Sequence, residues 1–63
     1  MCQMNIMLEK NDHLEKVMEN ATTLEVTSEG IRISTLFEEP QVLANAAIKK
    51  IDFLDGLVIL AAR

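Results

Sequence analysis

The chain has 63 residues, 49% hydrophobic and 25% charged, with a formal net charge of −4. It is too apolar for disorder, and no apolar run approaches the ~20 residues of a membrane-spanning helix. Lys10, Lys16, Arg32, Lys49, Lys50 and Arg63 form no cluster larger than a pair, and Phe37 and Phe53 are the only aromatics, so nucleic-acid binding is disfavoured.

The dominant period is two. Cys2, Met4, Ile6 and Leu8 alternate with Gln3, Asn5, Met7 and Glu9, which predicts a half-buried strand. Lys10-Asn11-Asp12-His13 is polar and turn-like. Leu14 to Met18 is ambiguous. Leu14, Val17, Met18 and Ala21 fit a helical face, and Asp12 with Glu15 fits a capping box. So short a helix is marginal in water, and residues 15–18 are read as a short strand.

Residues 22–27 are rich in β-branched side chains, with Leu24 and Val26 in phase. Ser28-Glu29-Gly30 predicts a turn, and Gly30 supplies a positive φ. Ile31, Ile33 and Thr35 form the return strand of a hairpin, continued by Leu36-Phe37. Glu38-Glu39-Pro40 ends it, since proline cannot donate to a ladder. Residues 41–43 predict a short edge strand. Residues 47–53 predict another strand, with Ile51 and Phe53 in phase, followed by a tight Leu54-Asp55-Gly56 turn. Residues 57–61 hardly alternate, which predicts a final strand buried on both faces, one of them a candidate subunit interface. Short strands between regularly spaced turns predict a single small all-β barrel over residues 1–63.

Length also bounds stability. Folding a chain of this mass buries roughly 60% of its surface. Apolar burial then yields ~90 kcal/mol, against ~95 kcal/mol for ordering the chain. The isolated chain comes out near zero, and domains this short usually need disulfides, a metal or a partner subunit. Cys2 is the single cysteine, which excludes an internal disulfide. A metal, an oligomer, or both remain. The start, Met1-Cys2-Gln3-Met4-Asn5, has neither the basic region nor the apolar core of a secretory signal. A cytoplasmic setting with a reduced thiol is the expectation.

Cys2 is the informative residue. If Met1 is removed, the cysteine amine and thiolate close a five-membered chelate ring on a metal. If Met1 stays, its amine, the Cys2 amide nitrogen and the Cys2 sulfur form a tridentate set. Thiolate is the metal-binding form. Mixed nitrogen and sulfur donors suit nickel(II) or copper(II) better than magnesium or calcium. The plainer readings are an inert buried or frayed thiol, or a Cys2–Cys2 disulfide between chains.

The other candidates are weaker. His13 is the only histidine and falls in a polar loop, which favours a solvated surface role. Met1, Met4, Met7 and Met18 could offer thioethers, but core filling accounts for them better. Asp52 and Asp55 are too few for calcium. Asn20-Ala21-Thr22 matches a glycosylation sequon, which has no meaning in a cytosolic chain.

Met1-Cys2 before a strand, Leu24-Glu25-Val26, the Gly30 hairpin, Thr35-Leu36-Phe37, and Ile51-Asp52-Phe53 before a final apolar strand resemble the CooT family. Those are nickel-binding accessory proteins associated with maturation of carbon monoxide dehydrogenase. The resemblance covers nearly the whole chain. It implies an SH3-like β-barrel of five to six short strands, a homodimer, and nickel(II) bound at the dimer through Cys2. The implied partner is a nickel enzyme such as carbon monoxide dehydrogenase, or its maturation factors. Family members have also been labelled RNA-binding, which this acidic chain does not support. It departs from the family in the loop holding His13 and lacks a histidine-rich tail.

Chelate argument and resemblance meet in one geometry. A two-fold dimer repeats each Cys2 by symmetry. With both N-termini at the axis, one nickel takes two sulfurs and two nitrogens. The competing classes are an SH3-like protein- or RNA-interaction module in which Cys2 is incidental, and a thiol enzyme or redox sensor. The last lacks a resolving cysteine and an evident base, so no enzymatic activity is expected.

Overall fold

The computed structural model describes residues 3–62. Seven strands follow in chain order: β1 (Met4–Lys10), β2 (His13–Ala21), β3 (Thr23–Thr27), β4 (Gly30–Ser34), β5 (Gln41–Leu43), β6 (Ala46–Asp52) and β7 (Leu57–Ala62). They form a four-stranded sheet in the order β2-β1-β7-β6 and a three-stranded sheet in the order β3-β4-β5. The described residues contain no helix, and so none long and apolar enough to cross a membrane.

Most predicted strands stand where the alternation placed them. Residues 14–18 are strand, inside the nine-residue β2. Asn11 and Asp12 both have positive φ between the paired Lys10 and His13, the backbone of a tight two-residue hairpin. That turn sets β2 antiparallel to β1, and the pairing decides against the helical reading of Leu14, Val17 and Met18.

The inner faces of both sheets supply one core: Ile6, Met18, Ala21, Ile31, Ile33, Ala46, Val58 and Leu60. Ile6, Ile31, Ile33 and Leu60 are the largest fully buried side chains. β1 and β7 run parallel at the centre of the larger sheet, with Ile6 opposite Val58 and Leu8 opposite Leu60. Among the described residues no polar or charged side chain is buried. The core is therefore thin and wholly apolar, as expected for so short a chain.

Four expectations need correction. The sheets are not closed into a barrel. The short β5 follows Pro40, which has no N–H, and precedes Asn45, whose φ of 59° turns the chain into β6. No ladder joins β5 to β6, so two packed sheets of seven strands replace a closed barrel of five to six.

Leu36-Phe37 does not extend β4. The Thr35 hydroxyl accepts from the Phe37 and Glu38 backbone N–H groups at 3.2 and 3.1 Å. This local turn diverts the amides from the ladder. Phe53 does not continue β6. Asp52 Oδ1 accepts from the Asp55 N–H at 3.0 Å, so the turn begins at Asp52 and leaves Phe53 outside the sheet.

Finally, β7 is buried on one face only. Val58 and Leu60 are buried, whereas Leu57, Ile59 and Ala61 are half-buried. The Lys49–Glu9 ion pair joins β6 to β1 across β7, and Ala61 lies opposite both Glu9 and Ala47. The outer face is thus partly roofed by a charged pair with apolar stems.

Candidate metal centre

Cys2, the proposed ligand, lies outside the described residues, as does Met1. The first described residue is Gln3, joined to Cys2 by one peptide bond. Its surroundings define the scaffold from which any Cys2 site is presented.

That scaffold is tied to the β6–β7 turn. The Asn5 N–H donates to the Gly56 carbonyl at 2.8 Å. Gly56 adopts a φ of 66°, and a Cβ there would stand 3.3 Å from the Gln3 carbonyl oxygen. A glycine suits this close passage of two backbones and its positive φ. On its other side Gln3 lines a shallow cavity with Glu19, Asn20, Thr22, Thr35 and Phe37. Asn20 has a φ of 58°, and its N–H reaches toward Asn5 Oδ1 at 3.4 Å where the β1–β2 register shifts. The start of β1 is held between the β6–β7 turn and the loop that follows β4.

The remaining candidates are not brought to this end. His13 is exposed and pairs with Lys10 at the opposite end of β1. Six strand steps of ~3.4 Å separate Lys10 from Met4, so the imidazole lies roughly 20 Å from the start of β1. Met18 is buried in the core, and Met4 packs against it. Asp52 serves its own turn. Among the described residues no group of three or more His, Cys, Asp or Glu side chains is placed to hold a metal ion.

The position of His13 makes a direct prediction. If the chain takes up nickel(II) through Cys2, His13→Ala should leave the affinity within about twofold of the parent chain, because an exposed histidine at the far end of β1 contributes no ligand. Isothermal titration of both chains checks this; a large loss of affinity would bring His13 into the site.

The family comparison decides the assignment. A model described as the CO dehydrogenase accessory protein CooT matches residues 1–61. The chain belongs to the CooT family. The fold agrees: the crystal structure of a protein assigned to CooT from Carboxydothermus hydrogenoformans superposes with a TM-score of 0.88. That likeness covers 98% of each chain at 24% sequence identity. No curated protein matches the chain. By family, CooT proteins are described as accessory proteins of CO dehydrogenase.

Sequence reasoning missed the exposure of the apolar side chains on the turns. Leu36, Phe37, Phe53 and Leu54 are all exposed, at 66%, 91%, 82% and 96%. A signal was present for one of them: Leu54 stands inside a turn sequence, where an apolar side chain has no core to enter.

Proposed function

We propose that this CooT is a nickel(II)-binding accessory factor for maturation of a carbon monoxide dehydrogenase, working as a homodimer that holds one metal through Cys2. The family match over residues 1–61, which includes Cys2, carries the reading. Nickel is cargo here, taken up and passed on, with no reaction at the protein.

The chemistry of the donor set supports the same view. Each chain offers one thiolate with adjacent N-terminal or backbone nitrogens. One chain fills half of a four-coordinate planar site, and two chains fill it. Coordination drives the thiol to thiolate, so uptake releases protons and strengthens as pH rises. The CO dehydrogenase or its maturation proteins are then the recipients.

Native mass spectrometry with added nickel tests the proposal. The expected spectrum shows one nickel per two chains, and also reports the fate of Met1. One tightly held metal per single chain would refute the shared site.

A further inference from the structure

The chain has two glycines, Gly30 and Gly56, which follow Glu29 and Asp55. Asp55-Gly56 is therefore the one place where an aspartate precedes a residue without a Cβ. It lies in the turn between β6 and β7. Phe53, Leu54 and Asp55 are all exposed there, so water reaches the Asp55 side chain freely. Gly56 lies outside both strands, and among the described residues its N–H donates no hydrogen bond. The amide before it is engaged: the Asp55 N–H donates to Asp52 Oδ1 at 3.0 Å. With no Cβ beside it, the Gly56 nitrogen is open to approach by the preceding side chain.

We infer that Asp55 is a site of spontaneous backbone modification, closing on the Gly56 nitrogen to a succinimide that opens to isoaspartate and unties the start of β1. In the first step the Gly56 nitrogen attacks Asp55 Cγ. A nitrogen–carbon bond forms and the carbon–hydroxyl bond of the carboxyl breaks. The hydroxyl leaves with the amide hydrogen as water. In the second step water adds to the main-chain carbonyl carbon of Asp55. The bond from that carbon to the Gly56 nitrogen breaks, and the nitrogen takes the water proton. The mass is unchanged. The chain now runs through Cβ and Cγ of residue 55, and the main-chain carboxyl is left free.

The other carboxyl side chains are less suited. Asp12 precedes His13 and Asp52 precedes Phe53, whose side chains crowd the nitrogen to be attacked. Asp52 Oδ1 is also held by the Asp55 N–H. Glu29 precedes Gly30, but its longer side chain would have to close a six-membered ring. Asparagines that close the same ring lose ammonia and change mass, so they are told apart from Asp55.

What Gly56 holds sets the consequence. Asp52 and Leu57 pair across the turn, so residues 53–56 span fixed ends. Isoaspartate puts one more backbone carbon between those ends. On the inner side there is no space for it. The Gly56 carbonyl accepts from the Asn5 N–H at 2.8 Å, and a Cβ on Gly56 would stand 3.3 Å from the Gln3 carbonyl oxygen. The longer turn therefore displaces Gly56 and breaks its bond to Asn5. Asn5 and Leu57 are the first pair of the parallel β1–β7 ladder. The next pair, Ile6 and Val58, is buried in the core and stays in place.

Ageing the full chain without metal for weeks, at physiological temperature in neutral oxygen-18 water, tests this. Peptide mapping should find isoaspartate at position 55 with oxygen-18 incorporated. A carboxyl methyltransferase specific for isoaspartate, given S-adenosylmethionine, should label the same peptide. Asp55→Glu should show neither signal, and its exposed side chain should leave the fold as it is, which circular dichroism checks. In the aged, purified isoaspartyl chain the Asn5 amide should exchange with deuterium at least about fivefold faster than in the fresh chain, the weight of one lost hydrogen bond. The amides of the fully buried Ile33 and Leu60 should keep their rates. Aspartate unchanged at position 55, after a synthetic peptide of residues 51–60 has converted, overturns the site. Conversion at Asp12 or Asp52 equal to that at Asp55 overturns the role given to this turn. Isoaspartate at position 55 with Asn5 exchange unchanged overturns the coupling to β1.

Discussion

Cys2→Ser is expected to abolish nickel(II) binding and to leave the fold intact. Serine keeps the size and the neighbouring nitrogens but replaces a soft thiolate with a hydroxyl. A thiol becomes a thiolate readily on a metal, whereas a neutral oxygen is a poor match for a nitrogen–sulfur site. Symmetry doubles the effect, since one substitution in the gene removes both sulfurs of the shared site. The buried core begins at Ile6, so the thermal transition should move little. Titration followed by the thiolate-to-nickel absorption band, with native mass spectrometry alongside, measures the loss. Full nickel affinity in the serine chain would show that the donors lie elsewhere.

The largest expected loss of stability is at Gly30, not at a core side chain. Gly30 has a φ of 143°, a conformation that L side chains rarely adopt. A Cβ at this position would stand 2.2 Å from the Leu43 carbonyl oxygen and 2.9 Å from Ala44 Cα. Both are backbone atoms, so no rotamer change relieves the contact. β4 would have to move away from the end of β5 and break the ladder in which Ile31 faces Leu43. Backbone strain of ~1–3 kcal/mol and overpacking of a similar size add to more than about 3 kcal/mol. Domains of this length hold only ~3–9 kcal/mol of net stability. Gly30→Ala should therefore lower Tm by more than about 12 °C, or leave the chain unfolded. Gly56→Ala should cost less, since its φ of 66° is an ordinary left-handed value and the Gln3 oxygen stands 3.3 Å away. Equal melting curves for the two variants would contradict this ranking.

The two expectations separate function from fold. The candidate ligand sits at the chain's beginning, ahead of the core. Gly30, at the start of β4 and against the end of β5, lies in the middle and touches no proposed ligand. A chain damaged at Gly30 should lose nickel binding only by unfolding, whereas one changed at Cys2 should lose it while folded.

Much of this fold was legible from alternation alone. Ile6, Ile31 and Ile33 are buried where the period of two placed them. Asn11, Asp12 and Gly56 turn the chain with positive φ values, and Ser28-Glu29 turns it ahead of Gly30, as their residue types allow. Local steric rules suffice for these, because each involves only neighbouring residues. The Cys2 reading rests on the sequence alone, since Cys2 lies outside the described residues.

What the tertiary structure decided is longer in range. Residues 14–18 became strand because β1 lies beside them, and the periodicity of those few residues fits either form. Phe37 and Phe53 left their strands because Thr35 and Asp52 side chains captured the next amides. The approach of Leu36 and Phe37 to Gln3, and the removal of His13 to the far end of β1, follow from which strands pair. Length and composition predicted only a thin core for so short a chain. The strand pairing left Phe37 and Phe53 exposed on the turns, outside a core that holds neither.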